Sequence, residues 1–336
     1  MLSPNRRSPR LRWSDSVMPR ALVLALSMAL GACSGTDNPL APGTADEAPV
    51  PASDSGAPDF VVTALTGQRI AFASYRNGNQ DIYRMDPQGY QVNRLTYASA
   101  YEVSPDWSRD NKRIAFVRPR VDASNVTHYD VYIINADGTN GHWARSTPSP
   151  YNLGNPQWSP DGSHILLTVT VQGVWYAGWL QLATGKIGFF YNGFAAVKGK
   201  QPSYDPTGQK VVYIGSDSKS LNMINSNGTH VTLLTAPGPT LDRPVFSPDG
   251  KRIAFSNATA TGDQEIYVRN ADASITRLTY AKGTDLWPSW SSDGSKIAFE
   301  TTRNGPLQIW IMSATGASPT RISRNTYAEL TPAFSH

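Results

Sequence analysis

The chain has 336 residues, enough for one large β domain or two ordinary ones. Its formal charge is +4, but Arg6, Arg7, Arg10, Arg12 and Arg20 against Asp15, all within residues 1–32, account for the whole of it. The 25 basic and 25 acidic side chains that remain cancel, which leaves no basic footprint and excludes nucleic acid as the expected partner.

Residues 1–32 have the pattern of an export signal. Arg20 precedes the apolar run Ala21–Leu30, too short to span a bilayer, and the run ends in Leu30-Gly31-Ala32-Cys33. Met18 offers a second start that would give a signal of ordinary length. Cys33 is the only cysteine of the chain. Its placement resembles a bacterial lipobox, which implies a lipidated Cys33 at the mature N-terminus. A residue other than Asp after it, here Ser34, implies sorting to the outer membrane, with the domain facing the periplasm. A chance cysteine behind an ordinary signal is the plainer alternative, and it leaves a lone exported thiol to be explained. Residues 33–66 then read as a disordered tether rich in Pro, Ala and Asp. Pro39, Pro42, Pro49, Pro51 and Pro58 fall in it, without Lys or Arg before Asp59. Such a segment buries too little apolar surface to offset its ordering entropy, and it reaches on the order of 25–30 Å.

From residue 67 to 336 one pattern recurs. Arg243-Pro-Val-Phe-Ser-Pro-Asp-Gly-Lys-Arg-Ile-Ala-Phe255 reads as strand, tight turn and strand, with Pro pre-setting the turn and Gly closing it. Its aromatic position returns as Trp107, Trp158, Tyr204, Phe246, Trp290 and Phe334, at spacings of 51, 46, 42, 44 and 44. Second strands begin at Ile70, Ile114, Ile165, Val211, Ile253 and Ile297. Third strands such as Asp81-Ile-Tyr83 and Glu265-Ile-Tyr267 follow, then Gly-containing hairpin turns and fourth strands such as Arg94-Leu-Thr96. Four short antiparallel strands at this period describe a propeller blade, whose inner strands are buried on both faces. The first copy lacks an inner strand, and Thr331-Pro-Ala-Phe-Ser335 supplies one from the far end. The expectation is an all-β six-bladed β-propeller of four-stranded blades, closed by the C-terminal strand in blade 1. Phe60–Leu65 is a second-ranked alternative for that strand, out of frame with the aromatic.

The wording Leu-Thr, Pro-x-Trp-Ser-Pro-Asp-Gly-x-x-Ile-Ala-Phe, Ile-Tyr and Asp-Gly resembles the TolB-type propeller repeat over residues 67–336. The resemblance implies a periplasmic six-bladed propeller that binds protein partners in the cell envelope. The chain departs from TolB in carrying a tether where TolB has an α/β domain, and in its lipid signal. TolB's particular partners do not carry over.

Signals of catalysis are weak, and no cofactor is expected. His128, His142, His164, His230 and His336 make no metal-ligand spacing, and no Gly-x-Ser-x-Gly elbow is present. Asp161, Asp249 and Asp293 supply one carboxylate per turn, too few for calcium, and read as turn residues. Superposing the copies places Glu102, Asp285 and Glu329 at the entry to blades 2, 6 and 1, with Arg120, Arg303 and Arg76 after the second strands of those blades. Two explanations compete: a charged arc that binds a cation or charged partner segment, or acid–Arg pairs across blade junctions that hold the loops. Blade 3 concentrates Trp175, Tyr176, Trp179, Phe189, Phe190, Tyr191 and Phe194. Most are expected to fill the core, leaving Tyr191 and Phe194 as candidate contacts. The function this favours is a non-catalytic, lipid-anchored interaction scaffold with an envelope protein partner and a monomeric propeller. The alternative is a polysaccharide- or small-molecule-binding protein, or a lyase or hydrolase, working at the channel mouth.

Overall fold

The computed structural model describes residue 65, residues 67–235 and residues 238–336. The export signal, Cys33, the tether and residues 60–64 of the alternative first strand lie outside the described residues.

The described residues form six four-stranded antiparallel sheets and one small hairpin. Blade 1 takes β1 (Ile70–Ser74), β2 (Asp81–Met85) and β3 (Asn93–Arg94). Blade 2 is β4 (Val103–Trp107), β5 (Arg113–Val121), β6 (Thr127–Asn135) and β7 (His142–Trp143). Blade 3 is β8 (Asn152–Trp158), β9 (His164–Val171), β10 (Val174–Gln181) and β11 (Lys186–Phe189), followed by the hairpin β12 (Tyr191–Asn192) and β13 (Ala195–Ala196). Blade 4 is β14 (Gly199–Tyr204), β15 (Lys210–Gly215), β16 (Leu221–Asn225) and β17 (Thr232–Leu233). Blade 5 is β18 (Leu241–Phe246), β19 (Ile253–Ala258), β20 (Gln264–Arg269) and β21 (Ile275–Arg277). Blade 6 is β22 (Asp285–Trp290), β23 (Lys296–Thr301), β24 (Gln308–Ser313) and β25 (Thr320–Arg321), and β26 (Glu329–Phe334) returns to blade 1.

Closure takes the expected form. β26 pairs antiparallel with β1, Phe334 opposite Ile70 and Glu329 opposite Ser74. Innermost strands pack in the cyclic order β26, β4, β8, β14, β18, β22 and back to β26. The core is therefore distributed among blade junctions. Ile70, Phe72, Met85 and Phe334 of blade 1 pack on Ile309 and Ile322 of blade 6. The other face of blade 1, with Ala71 and Ile82, packs on Trp107, Ile114 and Phe116 of blade 2. Because both faces are covered, second strands such as β1 are buried along their whole length.

The Ser-Pro-Asp-Gly turns close as their residues dictate. In the blade 5 turn Gly250 N donates to Ser247 O (2.8 Å), and Asp249 Oδ1 accepts from Lys251 N (3.1 Å). Gly250 has φ +70°, a conformation that costs glycine nothing. Asp161, doing the same in blade 3, is drawn down to about 2 by the Ser159 hydroxyl and Ser163 N–H.

The innermost strands are not regular. Each carries a β-bulge at the residue before its proline and at the proline itself, visible as a register shift, for example between Val103 and Asp106 and between Asp242 and Val245. The six residues before the prolines, Ser104, Asn155, Gln201, Arg243, Trp287 and Thr331, all have φ between 44° and 57°.

Candidate functional site

In an antiparallel meander the connection from second to third strand and the connection between blades emerge at the same end of the sheet. That end carries the candidate arc and the β12–β13 hairpin. The three acids do not face solvent. Glu102, Asp285 and Glu329 are all fully buried. Glu329 pairs with Arg76 and also accepts from Ser323 and Asn325, the latter at 2.7 Å. Asp285 Oδ2 accepts from Arg303 Nη2 at 2.6 Å.

Glu102 pairs with Arg118 (Nε to Oε1, 2.6 Å), not with Arg120. The reason is local. β5 and β6 form a longer hairpin than their counterparts, so Arg120 still lies within the strand, and Arg118 takes the place of Arg76 and Arg303. All three guanidiniums rest on the aromatic ring of the third strand: Arg76 on Tyr83 (4.7 Å), Arg118 on Tyr132 (3.8 Å) and Arg303 on Trp310 (4.7 Å). Arg120 donates to the carbonyls of Arg145 (3.0 Å) and Ser146 (2.8 Å) and lies 3.7 Å from Asp130.

Each acid–Arg pair is made within one blade, while the second carboxylate oxygen of Glu102 and Glu329 reaches back to Thr96 and Ser323 of the preceding blade. Burial raises Glu102 above its ordinary value, opposed by the Thr96 hydroxyl and by Arg118.

The aromatics of blade 3 divide. Phe190 is buried, Tyr176 and Phe189 pack edge to face at 5.6 Å, Trp179 packs on His164, and Trp175 carries the Lys200 ammonium. Tyr191 (48% exposed) and Phe194 (106%) stand out on the hairpin, with Gly193 at φ 63° permitting its turn.

A second constellation, on the axis, escaped the sequence reading. Arg243 on β18 lies close enough to Asp106, Asp242 and Glu300 for all three to act on its charge. Asp106 belongs to blade 2 and Arg243 to blade 5, which are opposite one another in a six-membered ring, so their interaction crosses the axis. Gln201 Oε1 accepts from Arg243 N (3.0 Å), and the same amide donates to Asp242. The Arg243 guanidinium lies over the Trp287 ring at 4.8 Å. Burial raises Asp106 to about 7 against the pull of Arg243 and the Trp158 N–H. Burial likewise raises Glu300 to about 8, opposed by the Thr331 N–H and Arg243 and reinforced by Asp242. The signal available in the sequence was the residue before each proline, where Arg243 and Trp287 are unlike their equivalents.

The TolB beta propeller domain matches residues 52–240 and 236–336 of the chain. The chain belongs to the TolB beta propeller family. An uncharacterized protein of Agrobacterium fabrum is 31% identical over 189 residues, which are 53% of this chain and 60% of that protein. The chain thus spans less than two thirds of that relative's length. Among solved structures, TolB from Acinetobacter baumannii superposes with a TM-score of 0.68 at 21% identity, over 81% of this chain and 69% of TolB. An oligogalacturonate lyase in complex with manganese superposes with a TM-score of 0.50 at 14% identity, over 75% of this chain and 73% of the lyase. Both likenesses concern the propeller fold. Among the described residues of this TolB-family propeller, no group of three or more His, Cys, Asp or Glu side chains is arranged to hold a metal ion.

Proposed function

We propose that this TolB-family propeller is an exported, non-catalytic scaffold of the bacterial envelope, lipid-anchored through Cys33 to the outer membrane, which binds a protein partner at the end carrying the β12–β13 hairpin. The observation that carries the proposal is Phe194, a phenyl ring fully exposed at the tip of a hairpin inserted between blades 3 and 4. Exposed rings of this kind supply much of the binding energy where proteins meet. Tyr191 on the same hairpin adds a second ring with a polar tip. The buried acid–Arg pairs serve in this proposal to fix the loops around the hairpin, not to touch the partner. The family relationship and the lipobox-like placement of Cys33 support the envelope setting.

A photo-crosslinking residue at position 194, compared with one at Asp249 in a turn at the opposite end, tests it. One envelope protein should crosslink from 194 and not from 249, and Cys33→Ser should release the chain from the membrane fraction. Identical adducts from both positions, or none, would exclude the proposed face, and unchanged fractionation of C33S would exclude the anchor.

A further inference from the structure

Arg243 stands inside the ring with its donors uncommitted. Its backbone N–H is held by Gln201 Oε1, and one side of its guanidinium faces the Trp287 ring. Among the described residues, no side chain or carbonyl makes a hydrogen bond or ion pair with that guanidinium. The acids that act on it from a distance each accept a hydrogen bond from another group. Asp106 Oδ2 accepts from Trp158 N (2.9 Å), Glu300 Oε2 from Thr331 N (2.6 Å) and Asp242 from the Gln201 amide. A guanidinium carries five N–H donors in a planar fork, and that of Arg243, only partly buried, stays open to solvent with no protein acceptor on it. The acceptor that matches such a fork, through two parallel hydrogen bonds, is a carboxylate.

We propose that Arg243 anchors a binding site for a monocarboxylate on the propeller axis, with Trp287 fixing the guanidinium plane and Asp106, Asp242 and Glu300 completing its surroundings. The protonation of Glu300 agrees with this. With Glu300 raised to about 8, its carboxyl is mostly uncharged at neutral pH, so it does not repel an anion and its O–H can donate to one. A metal cation would meet the charge of Arg243, and a phosphate dianion would bring twice the charge of a carboxylate to a site whose Asp106, raised to about 7, is partly ionised at neutral pH. The site draws on blades 2, 5 and 6, whereas Tyr191 and Phe194 extend from blade 3, so failure of the crosslinking experiment leaves it standing.

The test is titration of the full chain with acetate, followed by calorimetry and by the Arg243 Nε–Hε NMR resonance, assigned through its loss in Arg243→Lys. Acetate is expected to shift that resonance saturably. Arg243→Gln should weaken acetate binding roughly tenfold to a hundredfold, and Phe194→Ser should leave it unchanged. N-acetylalanine, which presents the carboxylate of a polypeptide end, distinguishes the two sources. Tighter binding than acetate assigns the site to a chain terminus, and weaker binding to a small organic acid. The proposal is overturned if acetate leaves the wild-type Arg243 resonance in place, if R243Q binds acetate as tightly as wild type, or if inorganic phosphate is preferred. Because the shift is read on the wild-type protein and assigned with the charge-conserving Arg243→Lys, the test holds even where Arg243→Gln does not fold.

Discussion

Glu300→Gln should stabilise the propeller, and by an amount that grows with pH. Glu300 is buried on β23, its Oε2 accepting the Thr331 N–H at 2.6 Å, a bond that the amide oxygen of glutamine can also accept. Its carboxyl is raised from 4.5 to about 8, with burial the largest cause. Between those two values the folded protein holds a proton that the unfolded chain releases, so stability falls as pH rises. The penalty is absent below the unfolded value and complete above the folded one. Integrating that difference for Glu300 alone gives a cost of about 1.5 kcal/mol at pH 5.5 and about 4.5 kcal/mol at pH 8.5. Asp106, raised from 3.8 to about 7, acts with the same sign in an overlapping window. Asp161, lowered to about 2, has the opposite sign, but its window lies below pH 4 and does not interfere. Guanidinium denaturation of wild type and E300Q at both pH values measures the effect. The gap between them should widen by about 3 kcal/mol from the lower to the higher pH. A gap that does not change with pH, or a wild type more stable than E300Q at pH 8.5, would refute the assignment of a desolvated, proton-holding carboxyl on the axis.

Three further outcomes follow from the packing. Arg118→Ala leaves Glu102 buried without its cation and should cost about 3–5 kcal/mol. Arg120→Ala should cost about 1–2 kcal/mol, because its neighbour Asp130 keeps the N–H donors of Val131 (2.9 Å) and Ser149 (3.0 Å); equal losses in denaturant midpoint would contradict the pairing. Phe334→Ala should cost about 3–5 kcal/mol, since that ring is buried in the blade 6 to blade 1 junction, while the backbone N–H of residue 334 keeps its bond to Ser289 Oγ. A loss under 1 kcal/mol would mean that the C-terminal strand does not carry the closure.

The blade count and the closure were legible because both rest on spacing. An aromatic every 42–51 residues and a missing first strand matched by a spare last one leave little room for another topology. The pairing around Glu102 was not legible by the same means. Counting four residues beyond the second-strand aromatic lands on Arg76 and Arg303 in blades 1 and 6, where the chain has already turned. In blade 2 the strand runs on to Val121, so the same count lands on a residue committed to other carbonyls. The hairpin residues were legible for a simpler reason: large rings with no alternating frame in which to be buried end in solvent.

The axis was hidden by a rule that ordinarily serves well. A residue before proline is expected in extended backbone, so Arg243-Pro244 and Trp287-Pro288 read as plain strand. All six such residues instead adopt positive φ, a conformation that costs a non-glycine residue of order 1 kcal/mol or more. Hydrogen bonds from the preceding blade hold four of them there. Gln201 N donates to Thr168 Oγ1 (2.8 Å), Arg243 N to Gln201 Oε1 (3.0 Å), Trp287 N to Ser256 Oγ (3.2 Å) and Thr331 N to Glu300 Oε2 (2.6 Å). The strain is thus borne by the backbone N–H groups and by acceptors on the preceding blade, among them the side chain of Gln201, itself a bulged residue. That position holds Ser, Asn, Gln, Arg, Trp or Thr in the six blades, with the same bulge in each. The architecture is thus written in the periodic residues, while Arg243 and Trp287 of the axial cluster occupy the pre-proline position, where the residue changes from blade to blade.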